Sequence, residues 1–162
     1  MIRRTILTGL LAVSLTALAG CGFQLRGLNQ PTLGLSELSL SANVSPFSEE
    51  VKRSLESAGT HVVDSADLRV NLGDEQISET RLTRSDSGSR ETEITLTAPF
   101  SVQRVSDSAY LLNQQQLEVS TTVLLSTSDI YSGEELRAGA VRQLRRDAAG
   151  QLIDRLDALE TP

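Results

Sequence analysis

Glu93-Ile94-Thr95-Leu96-Thr97-Ala98-Pro99-Phe100-Ser101-Val102-Gln103 is the stretch from which the fold can be read. Apolar residues fill every even position from 94 to 102, while Glu93, Thr95, Thr97, Ser101 and Gln103 take odd ones. A strand turns successive side chains to opposite faces, so this segment belongs to a sheet with one face in a core and one in water. Pro99 has no N–H to give to a ladder, which predicts a bend there or a place at the sheet edge.

Working outward, Ser106-Asp107-Ser108 makes a turn, and Leu117, Val119, Thr121, Val123 and Leu125 repeat the alternation in a following strand. On the other side, Asp86-Ser87-Gly88-Ser89 reads as a turn after an extended run that starts at Leu68-Arg69-Val70-Asn71-Leu72. The apolar parity of that run shifts after Gly73, since Ile77 is odd, and this predicts a bulge near Gly73. Glu37-Leu38-Ser39-Leu40-Ser41 is a further alternating strand, and His61-Val62-Val63 reads as the end of a connection.

Two helices complete the pattern. Ser45 is an N-cap, Pro46 suits the first helical position, and Glu49 and Glu50 complement the positive end of the dipole. Phe47, Val51, Leu55 and Ala58 then share one face, and Gly59 stops the helix. Near the C-terminus, Ser132 and Glu135 have capping-box spacing, and Leu136, Ala140, Leu144, Ala148, Leu152, Leu156 and Leu159 recur every three or four residues. Arg142, Arg145, Arg146 and Asp154 fall on its outer side. The order is β-α-β-β-β-α. The expected class is an α+β two-layer sandwich, with two helices packed on one face of a four-stranded mixed, largely antiparallel sheet. A right-handed crossover makes the first two strands parallel if they are neighbours.

The N-terminus is an address rather than part of the fold. Arg3 and Arg4 precede an apolar run from Ile6 to Leu18 that is too short to span a bilayer comfortably. Leu18-Ala19-Gly20-Cys21 then has the form of a bacterial lipobox, and Cys21 is the only cysteine, so it has no disulfide partner within the chain. Residues 1–20 are expected to be a lipoprotein signal peptide, 21–34 a lipidated N-terminus and linker, and 35–162 a single α/β domain. Acylation of Cys21, as an N-acyl and S-diacylglycerol group, would hold the protein firmly on a membrane, since each buried methylene contributes about 0.8 kcal/mol. Gly22 stands where an aspartate often retains such proteins on the inner membrane, which favours the outer one.

Cleavage before Cys21 removes Arg3 and Arg4 and leaves 13 basic residues against 21 acidic, a net charge of −8. That balance argues against nonspecific nucleic-acid binding. Lys52 is the only lysine. Arginine clusters can still pair with phosphate through a planar fork. Catalysis is not expected. The only histidine, His61, has no metal-ligand spacing around it and reads as a connector residue, and no nucleophile elbow or phosphate-binding glycine loop occurs. No cofactor is expected beyond the acyl groups. The suggestive feature is Arg81, Arg84 and Arg90 around the Asp86–Ser89 turn, a cluster able to engage phosphates. The plain alternative is a solvated hairpin, because Glu79, Asp86, Glu91 and Glu93 are interleaved.

Three segments resemble the LPS-assembly lipoprotein LptE family. Gly20-Cys21-Gly22-Phe23-Gln24-Leu25-Arg26-Gly27 matches its acylated start, where the cysteine is followed by glycine, an aromatic, a variable residue, leucine and arginine. Ser45-Pro46-Phe47-Ser48-Glu49-Glu50-Val51-Lys52-Arg53-Ser54-Leu55 with Gly59 is similar to its capped first helix. Asp147-Ala148-Ala149-Gly150-Gln151-Leu152-Ile153-Asp154-Arg155-Leu156 is similar to its last one. The resemblance implies no enzyme. It implies an outer-membrane lipoprotein that plugs and helps assemble an LptD-type β-barrel and assists lipopolysaccharide delivery to the cell surface. It also carries lipopolysaccharide contact over to Arg84, with Arg81 and Arg90 as neighbours. A further basic position near the start of the last helix has no clear match in Ser132-Gly133-Glu134-Glu135. The other reading is a periplasmic lipoprotein that binds or inhibits a soluble cell-envelope partner.

Overall fold

The computed structural model describes residues 33–83, 88–126 and 130–160. The expected signal peptide and Cys21, most of the expected linker, Arg84 and the Asp86-Ser87 part of the turn lie outside the described residues.

The elements are β1 (Glu37–Ser41), α1 (Pro46–Ser57), β2 (His61–Val62), β3 (Leu68–Leu72), β4 (Gln76–Arg81), β5 (Ser89–Arg104), β6 (Tyr110–Ser126) and α2 (Ile130–Glu160). The architecture is α+β, with a mixed, mainly antiparallel sheet. It has six strands rather than the four expected. β1 pairs in parallel with both β2 and β3, as the crossover through α1 requires. β5 is central. β6 runs along one of its edges, while β3 and β4 lie end to end along the other.

Two of the additional elements have simple causes. The expected second strand is interrupted: between Leu72, paired with Phe100, and Gln76, paired with Thr97, four steps along the chain oppose three along β5. The extra residue is the parity shift at Gly73, and the ladder breaks around it instead of closing over a bulge. His61-Val62, expected in a connection, forms a short ladder with Glu37-Leu38.

β6 starts well before Leu117 because two irregularities near its beginning reset its register against β5, and Gln114 there adopts a left-handed φ of 48°. The turn before it is held by Asp107, whose carboxylate accepts the Ala109 N–H at 3.1 Å and faces Arg104 at 3.0 Å.

One core joins the layers. Leu38, Val70, Ile94, Leu96, Phe100, Val102 and Leu117 on the sheet meet Phe47, Val51 and Leu55 of α1 and Leu144, Leu152 and Leu156 of α2. α2 packs on β6 and β5, and α1 packs on α2 and β2.

The Ser45 hydroxyl accepts the Ser48 N–H at 3.1 Å while the Ser48 hydroxyl accepts the Ser45 N–H at 2.9 Å, a reciprocal cap built from two serines. Gly59, at φ 92°, turns the chain out of α1. The cap expected at Ser132 is corrected. α2 reaches back to Ile130, so Ser132 lies in its first turn.

Leu33, nominally linker, is buried, and its N–H donates to the Ala58 carbonyl at 3.1 Å. The folded body thus takes in the chain at the end of the sheet where β5 finishes at Arg104. The β4, β5 and β6 ends that carry Arg81, Arg90 and Leu125 lie at the opposite pole.

Candidate functional site at the hairpin pole

At this pole the sheet is three strands wide, and its register decides what the arginines face. Arg81 stands opposite Thr92 on β5, and Thr92 opposite Val123 on β6. Arg90 is one row further out, opposite Leu125. Directly paired residues share a face, as do residues two apart. Arg81 and Arg90 therefore lie on one face, the same one that presents Ile94, Leu96 and Leu117 to the helices.

Glu91 and Glu93 have the other parity and face away, opposite Leu124 and Thr122. Glu79 does share the arginine face, but its carboxylate lies 2.8 Å from Arg137 Nε of α2. The interleaving of charge in the sequence is thus separated by the pleat. Among the described residues, no ion pair involves Arg81 or Arg90. Arg90 Nε is buried and makes no hydrogen bond among them. Arg84 lies outside the described residues, so only two of the three expected site residues can be placed.

α2 covers the same face and leaves a groove of about 650 Å³ against β6. Its walls include Thr121, Val123, Leu136, Ala140, Arg142 and Gln143, with one carboxylate, Glu135. Leu136 is 50% exposed, and Leu82, Leu124 and Tyr131 are also exposed toward this pole. Arg81 and Arg90, without ion-pair partners among the described residues, thus share the sheet face of a largely apolar groove, a combination suited to a molecule with anionic head groups and hydrocarbon chains.

Of the helix arginines placed on the outer side, Arg142 and Arg146 are exposed there, whereas Arg145 is not. Arg145 is 22% exposed and makes a two-pronged contact with Glu75, itself 14% exposed, through Nη2 at 2.6 Å and Nε at 2.9 Å. Arg137 answers Glu79 and Glu134, so the basic residue nearest the start of α2 is already neutralised. Arg142 is exposed and lines the groove. A partner 70 residues away leaves no trace in local sequence. The faces of Arg81 and Arg90 follow from register, which the hydrophobic pattern of β5 did carry.

Among the described residues, no three His, Cys, Asp or Glu side chains are grouped to hold a metal ion, and no helix is long and apolar enough to cross a membrane. His61 is exposed at the far pole.

These features define an α+β domain whose hairpin pole sets arginines on the same sheet face as a groove. The chain belongs to the LptE lipopolysaccharide-assembly family, whose model matches residues 35–156. The same fold occurs in rare lipoprotein B from Shewanella oneidensis, at 17% identity and a TM-score of 0.65, over 76% of this chain and 96% of that one. A minor lipoprotein from Acinetobacter baumannii is similar at 15% identity and 0.64, over 78% and 93%. Lipoprotein B from Nitrosomonas europaea is similar at 19% identity and 0.63, over 85% and 91%. By sequence, no curated protein matches the chain.

Proposed function

We propose that the protein, as a member of this lipopolysaccharide-assembly family, is an outer-membrane lipoprotein acylated on Cys21. It plugs and helps assemble an LptD-type β-barrel, and it contacts lipopolysaccharide through Arg81, Arg84 and Arg90 on the way to the cell surface. Residues 1–20 are then the signal peptide, 21–34 the acylated start and linker, and 35–162 the working domain.

One observation carries the glycolipid part: Arg81 and Arg90 share a face, free of acidic partners among the described residues, beside the groove between β6 and α2. Phosphates on the sugar backbone would meet the guanidinium forks, and acyl chains would find Val123, Leu136 and Ala140. The lipobox and the lipoprotein relatives that share the fold support the anchor.

The test is a gentle detergent extraction of the tagged, acylated protein from outer membranes, with mass spectrometry of what remains bound. A stoichiometric large β-barrel is expected. Recovery of a soluble envelope protein in its place, with normal lipopolysaccharide export after depletion, would replace this reading with the soluble-partner one.

A further inference from the structure

The sheet face turned away from the helices carries a second groove, at the pole opposite the arginines, with a volume of about 600 Å³. Its floor is a cross-strand row of Ser41, Asn71 and Ser101, set side by side by the β1–β3 and β3–β5 registers. Asn43, Asn113 and Gln114 add three more amides around the floor. The exposed Pro99 ring and the Tyr110 ring, the latter 54% exposed, supply flat apolar surface. None of the lining residues carries a charge.

Part of this groove is already oriented. The Asn71 amide donates to the Ser101 hydroxyl at 3.2 Å, and Asn43 donates to the Asp74 carboxylate at 3.0 Å. Gln114 holds its left-handed backbone where the register of β6 is reset, which brings Asn113 and Gln114 to the same groove as Tyr110. A non-glycine residue in that conformation is held there by its surroundings.

We propose that this groove is a binding site for an uncharged saccharide. Each sugar hydroxyl both donates and accepts, as do the facing amides and serine hydroxyls, while a carboxylate or phosphate would find no cation among the lining residues. The C–H face of a pyranose ring packs on a tyrosine or proline ring, and Tyr110 keeps a polar tip for the rim. The volume suits one or two sugar units. Two envelope polymers offer neutral stretches of this kind, the outer hexoses of the lipopolysaccharide sugar region and the N-acetylglucosamine units of the peptidoglycan strand. The site is independent of the arginine pole, because they occupy opposite faces and opposite ends of the sheet.

The experiment is saturation-transfer NMR on the full acylated protein in a detergent without a sugar head group. The probes are a lipid-free core oligosaccharide made only of neutral hexoses and, separately, soluble wall glycan fragments whose muramyl carboxylates are amidated. Transfer to the core oligosaccharide assigns the lipopolysaccharide source, and transfer to the wall fragments assigns the other. In either case Tyr110→Ala and Asn113→Ala, both exposed positions, should weaken binding by about tenfold, equivalent to about 1.4 kcal/mol. A Lys52→Ala control, at an exposed position on α1, should leave it unchanged. Absence of transfer to both probes, or transfer that persists in Tyr110→Ala with an intact amide spectrum, overturns the proposal.

Discussion

The Gly73 N–H donates to the Pro99 carbonyl at 2.8 Å, and a β-carbon added to Gly73 would lie 2.6 Å from Pro99 Cγ. This pair explains how a proline sits inside the central strand. In a strand, the N–H and C=O of one residue point to the same side. Since the Pro99 carbonyl faces Gly73, the missing N–H also faces that side, where β3 has ended and β4 has not begun. The ladder to β6 loses nothing. Gly73→Ala should destabilise the fold by about 1–3 kcal/mol in chemical denaturation. Pro99→Ala should recover much of that loss in the double variant, and strictly additive effects would show that the two residues do not meet.

The two-pronged contact between Arg145 and Glu75 ties α2 to the β3–β4 junction. Both side chains are mostly buried, so Arg145→Ala leaves a carboxylate short of partners. A loss of about 1.5–3 kcal/mol is expected from urea melts. In a cycle with Glu75→Gln, the second substitution should cost little once the first is in place, so the two losses should be clearly non-additive.

Reversal of charge at the hairpin pole separates binding from folding. Arg81→Glu with Arg90→Glu should weaken lipopolysaccharide binding by at least about tenfold at low salt, with most of the difference lost at high ionic strength. The Arg81→Glu single variant, at an exposed position, should leave the melting temperature nearly unchanged while still weakening binding. Unchanged affinity would make this cluster a solvated hairpin face.

Leu96 is fully buried, opposite Ile77 and Val119. Leu96→Asp places a carboxylate among aliphatic side chains and should cost more than about 3 kcal/mol, measured by loss of cooperative unfolding or by insolubility.

The Asp107 carboxyl is held below its ordinary pKa, chiefly by the Ala109 N–H, with Arg104 assisting. A folded pKa below the unfolded one contributes stability that is present above the unfolded value and is lost as pH falls through the folded one. Carbon-detected NMR should place the Asp107 midpoint below the usual aspartate range of about 3.9. Asp107→Asn should flatten the corresponding part of the acid-unfolding curve.

How much of this was legible depends on burial. β5 was plain because each even residue from Ile94 to Val102 is buried, and α1 was plain because cap, face and stop agree. β4 has an exposed residue at every position, so alternation there carried little beyond the parity of Ile77. The early part of β6 was hidden by its register shifts, which scramble the period the eye follows. At the hairpin pole the residues were legible but their faces were not. Glu91 and Glu93 look like neutralising neighbours of Arg90 until the pleat turns them away. Arg145 looked like solvent-facing decoration because Glu75 is distant in sequence.

The poles set a height. β5 alone, at 16 residues and about 3.3 Å each, runs about 50 Å from the end where the folded body takes in its N-terminal segment to the end that presents Arg90. A bilayer with its head groups is about 40–45 Å thick. The arginines therefore stand a full membrane thickness from the end of the sheet at which Leu33 enters the body. The central strand then sets this span, and removing matched two-residue steps from the middle of β5 and β6 would bring the arginines about 7 Å nearer the entry end per step while leaving both ends of the sheet intact.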